Sequence, residues 1–252
     1  MTTLILLALA VFPVLLLLVV VYFQDKYEKE PVGLLLLTLF LGMLTVLPAI
    51  GLEMLLGELA PESGITAGLY NGFVVAGFSE ELCKLALLML LIWRNRNFNE
   101  FFDGIVYAVY VSLGFALVEN VMYVFGGESD GEAFMIAAMR AVLSVPGHFL
   151  FAVMMGYYFS LAKFVYHRRA LYLILAFVVP FLLHGTYDSL LMIPDGMGED
   201  WQWLYIPLFL IFVVFDVLMW KWGIRRIRHL QSLSKEQGEA ARNAFRGFRW
   251  DF

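Results

Sequence analysis

Three charged side chains, Glu80, Glu81 and Lys84, stand within five residues inside an apolar run reaching from about Phe73 to Trp93. A charge at the centre of a bilayer costs about 2.5–3.5 kcal/mol even on the mild insertion scale. Keeping three together calls for partners and for a use. Farther along, Glu119, His148 and the pair His184 and Asp188 occupy three other apolar runs. Carboxylates and imidazoles are the side chains that carry protons and ligate metal ions. Glu80 and Lys84 are four residues apart and Glu81 and Lys84 three, so on a helix all three approach one face and Lys84 can neutralise a carboxylate. Adjacent Glu80 and Glu81 point about 100° apart on a helix, which argues against equal service to one site. His184 and Asp188, in HGTYD, are again four apart. Both can approach a metal, or Asp188 can orient the imidazole from behind.

The elements that must position these groups are membrane spans. The chain has 252 residues, of which 62% are hydrophobic and 15% charged, with mean hydropathy +0.79. Soluble domains hold about 45–50% apolar and about 25% charged residues. Runs long enough to cross a hydrocarbon core of about 30 Å recur, and the expected fold is an all-α polytopic bundle of about seven transmembrane helices. The spans read as 3–23, 32–56, 66–93, 104–125, 134–164, 170–193 and 202–222. The first lacks a basic leader and a small-residue cleavage site, so it reads as a retained span. The connectors QDKYEKEP, WRNRNFNEFFD and KFVYHRR and the tail from Lys221 carry 15 of the 17 Lys and Arg residues, all but Lys84 and Arg140. GELAPESG, GGESDGE and PDGMGED carry none. The positive-inside rule then places the N-terminus outside and the C-terminus in the cytoplasm. Residues 1–225 read as one membrane domain and 226–252 as a basic cytoplasmic tail. That tail reads as a topology signal attracted to anionic lipid, with no nucleic-acid partner implied. The single cysteine, Cys83, excludes an intramolecular disulfide and reads as packing.

Orientation allows depth to be compared between spans. Counting from the nearest charged residue at the basic end, Glu81 is 13 residues from Arg94, Glu119 is 16 from Asp103, His148 is 15 from Lys163 and His184 is 15 from Arg169. At about 1.5 Å per residue these groups lie roughly 20–24 Å along their helices, in one layer. In the fourth span Gly104, Ala108, Ser112 and Ala116 repeat every four residues, a stripe of small residues suited to close helix packing. Pro146 and Gly147, just before His148, are expected to break the fifth span beside a cavity. Arg140 reads as a residue near the outer surface, and Glu53 as solvated or paired at the outer end of the second span.

One buried Glu or His is most often a structural hydrogen-bonding group, but convergence from four spans points to a functional site. Two chemistries fit. One is hydrolysis inside the membrane, in which zinc with His and carboxylate ligands lowers the pKa of bound water and a free Glu takes the proton. The HExxH motif is absent, so such a site must be assembled from several helices. The other is proton- or ion-coupled transport through the same Glu/His layer. Transport folds are commonly built from internal repeats, and none is visible here.

The ordered motifs EExxK (Glu80, Glu81, Lys84), FxxxE followed by Asn (Phe115, Glu119, Asn120), the isolated His148, and HxxxD (His184, Asp188) resemble the PrsW family of intramembrane proteases, with a more distant similarity to CAAX-processing and abortive-infection endopeptidases. The resemblance spans roughly residues 20–225. It implies an endopeptidase of a prokaryotic plasma membrane that cuts a membrane-anchored protein, with an anti-sigma factor as the kind of substrate. It also implies roles. By similarity to the CAAX-type arrangement Glu80 is the base, with Glu81 its partner and Lys84 the counter-charge. Glu119, His148 and His184 bind zinc or water, and Asp188 is a fourth ligand or supports one.

Overall fold

The computed structural model of the chain describes residues 2–195 and 203–247, and every regular element among them is helical. Helices α1 (Thr2–Gln24), α2 (Val32–Leu44) and α3 (Val46–Gly57) come first, the last two nearly continuous. A short α4 (Gly64–Tyr70) passes through a π-helical stretch, Asn71–Phe78, into α5 (Ser79–Leu91). Next come α6 (Asp103–Phe125), α7 (Asp130–Met139), a second π-helical stretch at Arg140–Ser144, α8 (Val145–Phe164), α9 (Arg169–Asp195) and α10 (Tyr205–Gly247). Among the described residues six helical segments are long and apolar enough to cross a membrane. They match six of the seven expected spans. The remaining one, 66–93, is helical too, but its middle holds Glu80, Glu81 and Lys84. The connector over 196–202 lies outside the described residues.

Helix α6 is the hub. It packs on α1, α2 and α8, and the residues from Asp103 to Ala116 are all buried. The small-residue stripe makes this possible. Gly104 lies against α8, where an added Cβ would come 2.0 Å from Ser160 Oγ, and one on Gly156 would come 2.3 Å from the Gly104 carbonyl. Ser112 on the same stripe donates to the His148 carbonyl at 3.0 Å. The opposite face of α6 meets α2 equally closely, since Cβ atoms on Gly42 and Gly114 would stand 2.3 and 2.2 Å from the carbonyl oxygens of Val111 and Leu39. With lipid tails as apolar as the side chains, such backbone approach is what drives helices together in a bilayer. Large apolar residues instead point outward on the peripheral helices, among them Phe12, Phe23, Leu90, Ile206 and Leu210. A soluble chain does not display apolar surface on that scale.

The two π-helical stretches change what the sequence suggested. Helix α8 is not broken at Pro146 and Gly147. Pro146 sits in the first turn of α8, where its missing N–H costs nothing, and the strain is taken up one turn earlier by the wider turn at Arg140–Ser144. The stretch at Asn71–Phe78 does the same just before Glu80. Both wide turns end immediately before segments that carry polar-layer residues.

At the end of the bundle with the basic connectors, α10 runs through residue 225 without interruption. Gln231 donates to the Gln24 carbonyl at 2.7 Å, Ser234 Oγ accepts the Phe102 N–H at 2.9 Å, and Gln237 donates to the Asn99 carbonyl at 2.8 Å. Residues beyond 225 therefore dock on the connectors. Burial at this end pushes the Asp25 carboxyl up to about 6, and those of Glu30 and Glu100 up to about 7.

Candidate active site

Helices α5, α6, α8 and α9 bring all seven expected residues to one place. Lys84 is its centre, wholly buried. Its ammonium donates to Glu80 Oε2 at 2.9 Å, to Glu81 Oε1 at 2.8 Å and to His148 Nδ1 at 3.3 Å. Those three contacts use all three of its donors, and the Phe115 ring lies 4.4 Å below it. This is what keeps two glutamates in an apolar helix: the ammonium answers both.

Each imidazole is oriented from behind by a carboxylate. His148 Nδ1 accepts a hydrogen bond from Lys84, so its Nε2–H donates to Glu119 Oε2 at 2.8 Å. The Nδ1–H of His184 donates to Glu81 Oε1 at 2.9 Å, and its ring stacks on Phe151 with centroids 4.6 Å apart. The two remaining nitrogens face Glu80. His148 Nδ1 is 3.9 Å from Glu80 Oε2, and His184 Nε2 is 3.9 Å from Glu80 Oε1. Asp188 Oδ2 lies 3.2 Å from the same His184 nitrogen. Glu80 and Glu81 stand unequally on opposite sides of the His184 ring, Glu81 in contact with Nδ1 and Glu80 3.9 Å from Nε2. The expected 100° divergence places them there rather than separating them.

The donor group able to hold a metal is Glu80, His148 and His184, whose ligand atoms lie within 4.8 Å of one another. Glu119 stands outside it, on the far nitrogen of His148. Two imidazoles and a carboxylate are a donor set that zinc accepts at about 2.0–2.2 Å. These three residues would hold the ion once Lys84 releases His148 Nδ1. A water molecule fits the 3.9 Å gaps as they stand, since two hydrogen bonds of about 2.8 Å at a right angle span about 4 Å.

Two residues read as peripheral belong to this site. Arg140 turns inward: its guanidinium is 2.9 Å from Glu119 Oε2, its Nε donates to Asn120 Oδ1 at 2.6 Å, and it covers the Tyr123 ring at 4.3 Å. Asn120 is fixed in turn by donating to the Ala10 carbonyl at 3.0 Å. Glu53 lines the same cavity as Glu80, Glu119, His148, His184 and Asp188. The sequence signal for Arg140 was its being one of only two basic residues outside the basic connectors and tail. The cavity has a volume of about 790 Å³ and reaches Gly126, Gly127 and Glu132, at the end of the bundle opposite the basic connectors.

The family model for PrsW family intramembrane metalloprotease matches residues 30–218. Among curated proteins, "Protease PrsW" of Clostridioides difficile (strain 630) is 35% identical over 230 residues, covering 90% of this chain and 92% of its own. "Protease PrsW" of Bacillus subtilis (strain 168) is 34% identical over 217 residues, covering 86% and 91%. No solved structure matches.

Proposed function

Because the chain belongs to the PrsW family of intramembrane metalloproteases, a family of membrane peptidases, we propose that its polar layer hydrolyses a peptide bond of a membrane-anchored protein with a water held among Glu80, His148 and His184. The observation that carries this is the pair of 3.9 Å gaps from Glu80 to His148 Nδ1 and His184 Nε2. Glu80 takes the proton from the water. Lys84 holds Glu80 in place and supplies its counter-charge. Glu81 and Glu119 fix the two rings, and Asp188 supports His184. Zinc, when bound, would be held by His148, His184 and one oxygen of Glu80 and would acidify the water as a Lewis acid, the other Glu80 oxygen being left to take the proton. Arg140 sits beside Glu119 at the cavity wall, where it holds that carboxylate away from lipid.

The residues 66–93 form the seventh span in this reading, sheltered by α9 and α3. The N-terminus is outside and the C-terminus inside, in the plasma membrane of a prokaryote. The cavity mouth then faces outward, and the cut falls near the outer boundary of a single-span substrate. An anti-sigma factor is the kind of substrate the family resemblance offers. Cysteines introduced at Ser63 and Ser129 should react with an impermeant reagent from outside intact cells. Reaction only after the cytoplasm is opened would reverse the orientation.

The functional test is direct. Purified protein in liposomes should cut single-span membrane proteins reconstituted with it, and cutting should cease in the His184→Ala variant. The transport reading draws on the same layer. Solute flux driven by a pH gradient, with no cleavage of any membrane protein of the host, would establish that reading and refute proteolysis.

A further inference from the structure

Four buried carboxylates meet at the basic end of the bundle, far from the polar layer. Asp25 and Glu30 come from the α1–α2 connection, Glu100 from the α5–α6 connection, and Asp103 heads α6; their exposures are 1%, 3%, 7% and 0%. One carboxylate oxygen from each of Asp25, Glu100 and Asp103 lies within 4.8 Å of one from each of the others. The backbone holds two of them in place by one oxygen only. Asp103 Oδ2 accepts the N–H groups of Asn99 and Glu100 at 2.9 and 2.7 Å, and Asp25 Oδ2 accepts that of Glu30 at 3.3 Å. Their other oxygens, and one of Glu100, are orphaned: Asp25 Oδ1, Asp103 Oδ1 and Glu100 Oε1 are buried with no hydrogen-bond partner.

Among the described residues no cation pairs directly with this charge. Among the described residues no Lys, Arg or His nitrogen comes within 4.0 Å of any of the four carboxylates. Lys29, the basic residue nearest in sequence to Asp25 and Glu30 after Lys26, gives its ammonium to the backbone carbonyls of Tyr22 and Asp25 and to the Tyr22 ring. Among the described residues the side-chain hydroxyl bonded to the group is that of Tyr107, which donates to Glu30. The contrast with the polar layer is sharp, because there Lys84 and Arg140 neutralise Glu80, Glu81 and Glu119. Buried carboxylates this close, with oxygens left over, need either shared protons or a metal cation between them.

We propose that Asp25, Glu100 and Asp103, with Glu30 beside them, form a second metal site that binds one hard divalent cation of the Mg²⁺, Ca²⁺ or Mn²⁺ class. The donor set is all oxygen, with no imidazole or thiolate among its members, which is the chemistry that selects those ions over zinc. The site is structural. Asp103 is 16 residues before Glu119 on α6, about 24 Å along the helix. Its residues sit where the two connectors and α10 are bonded together, through Asn99 to Glu28, Phe102 to Ser234, and Gln237 to Asn99. A bound cation clamps the first helical hairpin to α6 and holds the floor on which α10 docks.

The test uses the full chain, purified in detergent, stripped with a chelator and titrated with Mn²⁺ alone, with free ion read by electron paramagnetic resonance. It is run on the unaltered protein and on the His148→Ala/His184→Ala variant, which lacks the intramembrane donor group. The double variant should still bind about one Mn²⁺ per chain, displaced by excess Mg²⁺ or Ca²⁺. Asp103→Asn and Glu100→Gln should each weaken that binding at least tenfold, and the cation should raise the thermal midpoint of the parent but not of these variants. Glu100→Gln lies on a connector and carries the test if Asp103→Asn does not fold. Folded protein that binds no Mn²⁺, or a folded Glu100→Gln chain that binds it as the parent does, overturns the site. The first result would mean that the carboxylates are held by shared protons. Neither result touches the hydrolysis reading, whose residues are absent from this site.

Discussion

Glu80→Gln is expected to abolish cleavage while the protein remains folded and inserted. The substitution keeps the volume of the side chain and an oxygen that can accept from Lys84. Lys84 stays paired with Glu81 at 2.8 Å, so no uncompensated charge is left in the bundle. What disappears is the proton acceptor that faces His148 Nδ1 and His184 Nε2. Positioned general bases contribute about 10²–10⁴-fold to rate, and the loss should fall in that range or beyond it. Zinc content should fall as well, because Glu80 is one of the three groups of the donor set. Glu81→Gln is the informative companion. Glu81 touches His184 Nδ1 and not the gap, and losing a partner that orients a ligand costs about 10–100-fold. Rates are to be read on a confirmed substrate at matched amounts of folded protein. Native rates in both variants would make the two glutamates structural and send the search for the base elsewhere.

The larger effect on the fold should come from Lys84→Met. The ammonium is completely buried and lies 2.9 and 2.8 Å from two carboxylates. Removing one member of a buried ionic set leaves the others uncompensated, at a cost of about 3–5 kcal/mol. That lowers the folding equilibrium constant by about two to three and a half orders of magnitude at about 1.4 kcal/mol per factor of ten. The cause can be separated from lost packing. In Lys84→Met/Glu81→Gln one of the two stranded charges is gone, so the double variant should recover part of the thermal stability and none of the activity. Lys84→Met as stable as the parent would show that the three charges are not coupled, and the account of why they tolerate the membrane would fail.

The membrane class, six of the helical spans and the identity of the seven polar-layer residues were legible in the chain, for one physical reason. In an apolar environment each ionisable group costs so much that its presence is itself a signal, and counting residues along a helix gives its depth. Depth carries no information about rotation. Spans that are apolar on every side have no polar face to fix which way Glu119 or Arg140 points. Each π-helical turn, at Asn71–Phe78 and Arg140–Ser144, re-sets the angle of the helix beyond it. Tertiary packing therefore decided that Glu119 backs His148 while Glu80 faces both rings. It decided that Arg140 turns inward to Glu119. It also decided that Asp25, Glu100 and Asp103 meet, although 75 positions in the chain separate the first two of these three. In the connectors they look like ordinary solvated charges, and only helix packing takes the water away.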